Sequence, residues 1–424
     1  MFLFASYSGG VSDFMSHGDR PNFRLGSRLS DTTFGVYMMK TQCVSSDRIS
    51  SLPENIIETI LSLMPIRDAL RTSILSKRWR YCWMTMPKLV FDHNLVRAIS
   101  GTGILLKYKL VNAIFHVLLM HNCPAIIKFE LDVDKMDMET EFHPIILYLS
   151  RRTNVKDLII DNNTSDIFYK LPTSFFLIQG LESLELMGCD LEPPLTFNGF
   201  NKLRKIDFDD VQVSTKDLQH FLSSCPLLEE VILGDYEEEY VEENSFKFVQ
   251  LFQCVPLVHT LDISKDYMKY LTAGGMPNKL PTSLHLKDVR LDVCLRELDV
   301  ISSVLCIIRS SPNLGRLFFV MRDNEKLPIQ ESSIKFADLR DDLSLTLDNL
   351  EIFEVVYFSN ISCEMEFVKL IMCKSPILEI AQIELKDNVS ADDELKIVRD
   401  MERFPRASPS AQLIIERRPM TEDS

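Results

Sequence analysis

The residues of this chain able to do covalent or metal chemistry are ten cysteines and eight histidines, and their spacing suits neither task. No Cys-x-x-Cys occurs, so neither a thiolate zinc site nor a dithiol redox pair is signalled. His116 and His121 lie five residues apart, a spacing that does not bring two imidazoles onto one helix face. There is no Gly-x-Ser-x-Gly elbow, no glycine-rich phosphate loop and no His-Glu-x-x-His, the arrangements that would carry acyl transfer, phosphate binding or zinc-dependent hydrolysis. Fourteen glycines in 424 residues are few for an enzyme built on tight phosphate turns. No catalytic residue, metal ligand or cofactor site is assigned. The chemistry the residues do support is recognition.

Recognition residues concentrate between Asp47 and Asp92. Ser51-Leu52-Pro53-Glu54 reads as a helix start, with a capping hydroxyl, an acid three residues on and proline in the first turn. Leu52, Ile56, Ile57, Ile60, Leu61 and Met64 recur at helical spacing. Pro65 stops that helix, because proline lacks the backbone donor and disfavours helix in the residue before it. Ile66, Ala69, Leu70 and Ile74 mark a second short helix, and Ser76 opens a third that places Trp79 and Trp83 one turn apart. Helices this short, in a stretch of about 40 residues, do not bury their apolar surface alone. The stretch is either an ordinary helical subdomain docked on its own chain or a surface for a partner.

Leu52-Pro53, Ile60-Leu61, Leu63-x-Pro65, Arg67-Asp68-Ala69 and Leu75-Ser76-Lys77-Arg78-Trp79-Arg80 followed by Trp83 resemble the F-box of plant F-box proteins without a gap. The resemblance implies a docking surface for the Skp-type adaptor, and through it the cullin, of an SCF ubiquitin ligase. Leu52, Pro53, Ile56, Ile60, Leu61, Leu63, Pro65, Leu75 and Trp79 are the candidate adaptor contacts, some of which must instead form the small internal core. Both tryptophans of the chain lie here, the residue type most enriched among interface anchors.

Downstream, a strand template of the form apolar-x-x-apolar-x-apolar repeats at intervals of about 22 to 36 residues, within and beyond the usual length of leucine-rich repeats. Its copies are Val155-Leu158-Ile160, Leu181-Leu184-Leu186, Leu203-Ile206-Phe208, Leu228-Val231-Leu233 and Val258-Leu261-Ile263. Leu284-Leu286, Leu314-Leu317-Phe319, Leu350-Phe353-Val355 and Leu378-Ala381-Ile383 continue the series. Helical segments lie between them, several ending in a Cys/Ser-Pro-x-Leu run such as Cys225-Pro226-Leu227-Leu228 or Ser375-Pro376-Ile377-Leu378. Stacked strand-plus-helix units share one core and a concave parallel sheet; a plain α/β sheet domain is the alternative.

In such strands the apolar letters face the core, so the residues between them face the concave side. That surface is expected to present Ile159, Glu185, Asp207, Ile232, Asp262, His285, Phe318, Glu354 and Gln382, with Asp161, Asp209, Lys287 and Glu384 beyond them. Of these, Glu185, Asp207, Asp262, His285, Phe318 and Glu354 are the candidate target contacts. The row leans acidic, which suits a basic or mixed protein patch, although the same residues also suit the solvated side of a sheet. The run Asp235-Tyr236-Glu237-Glu238-Glu239-Tyr240-Val241-Glu242-Glu243 reads as a solvated loop.

The Cys/Ser-Pro-x-Leu endings resemble the divergent leucine-rich repeats of plant F-box proteins, and Arg403-Phe404-Pro405-Arg406-Ala407-Ser408 resembles the FBD domain that accompanies them. The expected fold class is α/β: a three-helix F-box, then an irregular leucine-rich-repeat solenoid of parallel strands and helices, closed by an FBD-type cap. Residues 1–46 read as a disordered extension, 47–92 as the F-box, 93–348 as divergent repeats, 349–416 as the FBD-type end and 417–424 as a polar tail. Gly103 to Met120 reads as a mainly buried helix. The net charge of −15 argues against nucleic acid as the main partner. No apolar run reaches the length of about 18 residues that a membrane helix needs, so a cytoplasmic or nuclear protein is expected, with free thiols. The resemblance implies a non-catalytic substrate receptor of an SCF ubiquitin ligase, its target unidentified. A repeat scaffold that does not lead to degradation, or a small-ligand co-receptor, are the alternatives.

Overall fold

Two prolines set the first helices. In a computed structural model, which describes residues 49, 51–99, 103–123, 125–133, 138, 140–152, 155–162, 167–235, 247–272, 280, 284–322 and 345–417, helix α1 spans Glu54–Ser62 and α2 spans Ile66–Thr72. Pro53 and Pro65 occupy the positions just before them at φ −57° and −56°, angles the pyrrolidine ring imposes. Pro53, not Ser51, is therefore the residue at the helix boundary. The expectations for residues 1–46, for the acidic run after Asp235 and for the tail beyond Arg417 fall outside the described residues.

The chain divides into two compact units, Met1–Pro124 and Ala125–Ser424. In the first, Ile57 and Leu61 of α1, Ile66 and Ala69 of α2, Trp79 and Trp83 all pack inward. The third segment, Trp79–Thr85, is a 3₁₀ helix; the Trp79 N–H donates to Ser76 Oγ at 3.4 Å, and Pro87 follows it. Runs this short, between a turn and a proline, commonly tighten to three-residue hydrogen bonding. Strand β1 (Lys88–Phe91), α3 (His93–Ala98) and α4 (Gly103–Met120) complete the described part of the unit. Asp92 caps α3 by accepting the Leu95 N–H at 3.3 Å.

Helix α4 corrects the expectation of a mainly buried helix. Leu110, Ile114, Val117 and Leu118 are buried, but Ile104, Leu105, Tyr108 and Leu119 are exposed. His121 follows the helix and places Nε2 2.7 Å from the Met86 carbonyl. It ties the helix end to the segment before β1, and among the described residues no group of His, Cys, Asp and Glu could hold a metal ion.

The second unit settles solenoid against ordinary sheet. Its strands are β2 (Lys128–Asp132), β3 (Asp157–Asp161), β4 (Tyr169–Lys170), β5 (Ser183–Asp190), β6 (Lys205–Gln212), β7 (Glu230–Leu233) and β8 (Thr260–Ile263). β9 (Asp288–Val293), β10 (Arg316–Met321), β11 (Ile352–Phe358), β12 (Ile380–Leu385) and β13 (Gln412–Arg417) follow. Apart from β4, which pairs on the side of β5, each strand of this unit pairs in parallel with its neighbours in chain order. A doubly wound sheet reverses its strand order at a switch point; this one never does. That is the order of a stacked repeat.

Helices α5 (His143–Ser150), α6 (Thr215–Ser223), α7 (Phe248–Cys254), α8 (Lys265–Leu271), α9 (Leu298–Ser310), α10 (Ser362–Lys374) and α11 (Ala391–Glu402) lie between the strands. Four repeats turn from helix to strand in the same way. The N–H groups of Leu228, Val258, Leu314 and Leu378 donate to the carbonyls of Cys225, Val255, Ser311 and Ser375. Proline holds the second position of each turn, where its fixed φ is already correct. The buried Ser311 and Ser375 hydroxyls donate back to Ile307 and Ile371 carbonyls at 2.6 and 2.8 Å, answering helix-end acceptors that water does not reach. Buried Asn162 stitches the early repeats: Oδ1 accepts the Met138 N–H at 3.0 Å, while Nδ2 donates to the Ile167 and Gly188 carbonyls at 3.1 and 3.0 Å.

One strand lies elsewhere than expected. The template at Leu284-Leu286 is displaced; the strand is Asp288–Val293, and Leu286-x-x-Val289-x-Leu291 is the copy that matches. The register proves it, since Leu261 pairs with Val289 and Ile263 with Leu291.

Candidate partner-binding surfaces

The first unit separates the nine candidate adaptor contacts into two sets. Leu61 at 0% exposure and Trp79 at 2% belong to the core. So does Trp83, and the Trp79 Nε1–H donates inward to the Ile49 carbonyl at 3.3 Å. The two tryptophans are thus structural anchors rather than interface ones. Ile56 (41% exposed), Leu63 (80%) and Leu75 (51%) face outward, joined by Ile74 at 80%. Pro53 is exposed as well, and Leu52, Ile60 and Pro65 are half-buried. The outward set lies on α1, on the bend to α2 and in the turn after α2. These large aliphatic side chains, left exposed on one small helical unit, make up the candidate docking surface.

The second unit aligns nine inter-strand residues into one row across the sheet. Ile159 pairs with Glu185, Glu185 with Asp207, Asp207 with Ile232, and Ile232 with Asp262. The row continues through Arg290, Phe318, Glu354 and Gln382. Five of the six candidate target contacts, Glu185, Asp207, Asp262, Phe318 and Glu354, stand in it. His285 does not: it precedes β9, and Arg290 takes the position expected for it. The signal was present, because Arg290 is the residue between the apolar letters Val289 and Leu291.

A cavity of about 690 Å³ opens on this face, lined by residues from β3 through β12. Its charges form ladders between adjacent strands. Lys205 Nζ lies 3.0 Å from Glu185 Oε1 and 3.7 Å from Asp207 Oδ2. Arg290 Nε lies 3.6 Å from Asp262 Oδ2, and its guanidinium sits 4.5 Å from the centre of the Phe318 ring. Arg322 donates to Asp292 Oδ2 through Nε at 2.9 Å and Nη2 at 2.6 Å, and Arg316 Nη2 lies 2.6 Å from Glu354 Oε2.

These cations do not fully offset the carboxylates. Burial pushes the Asp262 carboxyl up to about 6; Arg290 works against the rise, and Asp292, Asp207 and Asp288 add to it. Burial also raises Asp207, Asp209, Asp288 and Asp292, with Asp235 adding to the effect on Asp209. Gly234 makes room for that pair: a Cβ there would lie 2.4 Å from Asp209 Oδ1. The floor is thus acidic and partly desolvated, with apolar ground at Ile159, Met187, Ile232, Phe318, Val320 and Val356.

A small helical unit followed in the chain by a strand-and-helix solenoid defines a class of proteins that bind partners. Comparison with known proteins places this chain within that class. Residues 49–91 match the family model described as F-box domain, and residues 146–379 match that of FBD-associated F-box protein At5g56370, LRR repeats. The F-box/FBD/LRR-repeat protein At1g13570 of Arabidopsis thaliana is 30% identical over 418 residues, covering 87% of this chain and 98% of its own. The F-box/FBD/LRR-repeat protein At3g26920 of the same plant is 23% identical over 336 residues, covering 77% of this chain and 69% of its own. Among solved structures, an internalin from Listeria monocytogenes aligns over 87% of this chain and 98% of its own at 10% identity. Its TM-score of 0.32 is too low to carry an argument. The chain belongs to the F-box/FBD/LRR-repeat family. Proteins of this kind bind partners, commonly within SCF complexes, and are typically non-catalytic adaptors; the F-box generally mediates binding to a Skp-type adaptor.

Proposed function

We propose that this chain is a substrate-recognition subunit of an SCF-type ubiquitin ligase, working in the cytoplasm or nucleus. Its F-box docks on the Skp-type adaptor, and the concave face of its repeats holds a target protein. The observation that carries the reading is the split within the F-box. Ile57, Leu61 and Trp79 complete a core, while Ile56, Leu63, Ile74 and Leu75 remain outside it. Aliphatic side chains held in water by a folded unit are stabilised when a partner covers them, at about 25 cal/mol per Å² of apolar area buried. The receptor's contribution to rate is positioning, since a tethered target meets the ubiquitin-carrying enzyme at raised effective concentration. No bond changes at the receptor itself.

The test is co-purification of the full chain with a Skp-type adaptor, wild type against Leu63→Asp/Leu75→Asp. Both sites are exposed, so the double variant should keep the wild-type melting temperature and lose the adaptor. A folded wild-type chain that leaves the adaptor behind would overturn the reading.

A further inference from the structure

The cavity on the concave sheet has a definite charge balance and a definite long axis. Eight carboxylates and two guanidiniums line it. Both guanidiniums are already engaged, Arg290 with Asp262 and Arg322 with Asp292. The excess of negative charge lies towards the β5–β7 end, which Glu185, Asp207, Asp209 and Asp235 line and where Asp209 lies against Gly234. Lys205 reaches Glu185 and Asp207, whereas Asp209 and Asp235 have no ion-pair partner among the described residues. Towards β10 and β11 the lining turns apolar and aromatic at Phe318, Val320, Val356 and Tyr357. A concave wall of one sign focuses its field into the cavity.

We infer that this cavity selects an extended polypeptide segment of the target that places a lysine or arginine between Asp209 and Asp235 and an apolar side chain over Phe318 and Val320. The inference rests on the proposed role of this face in holding a target, and it names the target's chemistry. An anionic segment meets repulsion at the acidic end, and a polar uncharged one gains no apolar burial at the Phe318 end. Strand pairing fixes the distance between the two ends, because Asp207 on β6 and Phe318 on β10 stand in one row, with β7, β8 and β9 between them. The order of basic and apolar side chains along the segment is therefore part of what is read.

The test is fluorescence anisotropy of the purified full chain with three labelled peptides of equal length: lysine alternating with leucine, glutamate alternating with leucine, and lysine alternating with serine. The lysine–leucine peptide is expected to bind at least tenfold more tightly than either of the others, and more weakly as salt rises. Asp209→Asn/Asp235→Asn is expected to weaken it at least tenfold. Asp387→Asn/Glu402→Gln, which removes two exposed acids outside the cavity, should leave it unchanged. Equal binding of the glutamate peptide overturns the inference, and so does equal loss in the two double variants. Failure of all three peptides by a chain that still captures the adaptor also overturns it, while the adaptor reading stands, because the two are read on different units.

Discussion

Asp262 offers a direct measure of how far the concave floor is withdrawn from water. Its carboxyl is raised to about 6 by burial, and Asp292, Asp207 and Asp288 add to the rise while Arg290 opposes it. In an unfolded chain the same group titrates near about 3.9. A raised folded value means that the folded state holds the proton more tightly than the unfolded state. The associated stability is fully present below about pH 3.9 and is lost as pH rises through about 6. Two pH units at about 1.4 kcal/mol each set an upper limit near 2.8 kcal/mol. The Asp262 side chain keeps 30% of its surface in water, so screening reduces the expected effect to about 1.5 kcal/mol. Asp262→Asn removes the ionisation but keeps the shape. Urea denaturation of wild type and variant at pH 4 and pH 7, on either side of the pI of about 5.1, reads the difference away from minimum solubility. The variant should gain about 1.5 kcal/mol on wild type between the two conditions, with the gain accruing from about pH 4 to pH 6. A constant difference across that range, or a variant that loses ground towards pH 7, would refute the argument. The first result would mean an ordinary solvated carboxylate, and the second that Arg290 outweighs burial.

Within the F-box, Leu61→Ala should lower stability by about 2–5 kcal/mol through the cavity it leaves, whereas Leu63→Ala should stay within about 0.5 kcal/mol. Equal urea midpoints for the two would contradict the division between core and surface. Asn162→Ala removes three hydrogen bonds at a buried position and should cost about 2–3 kcal/mol. Hydrogen exchange should show the loss first at the Met138 amide, and unchanged protection there would contradict the bonding described.

Much of this architecture is legible in the residues because the local signals and the global fold agree. Pro53 and Pro65 mark the helix boundaries for steric reasons that hold in any context. The apolar template finds the repeat strands, and the letters between its apolar positions name eight of the nine residues of the concave row from Ile159 to Gln382. The failure at His285 has a simple physical source. Apolar letters two apart occur at Leu284/Leu286 and again five residues on at Val289/Leu291, so either pair fits a strand pattern while the choice between them moves every contact. Only the pairing of Leu261 with Val289 fixes the choice. The tryptophans mislead for another reason, since the same aromatic area that anchors an interface also fills a core. In a unit this small Trp79 and Trp83 are needed inside. The apolar letters of α4 likewise state how much aliphatic surface the helix carries, but not which part of it meets a neighbour. Arg290 and Arg322 escape notice because charged letters near a strand read as solvent until the cross-strand partners are known.

The strand register has a consequence for how such a chain can change. Arg316 pairs with Ile352 across the long link of residues 322–351 in the same parallel register in which Ser183 pairs with Lys205 across the short link of residues 191–204. Links of very different length therefore return the chain to the same row. Insertion or deletion between strands need not displace the letters on the floor of the solenoid. Floor and links are thus free to diverge separately, one by single substitutions and the other by length, while the stacking stays intact.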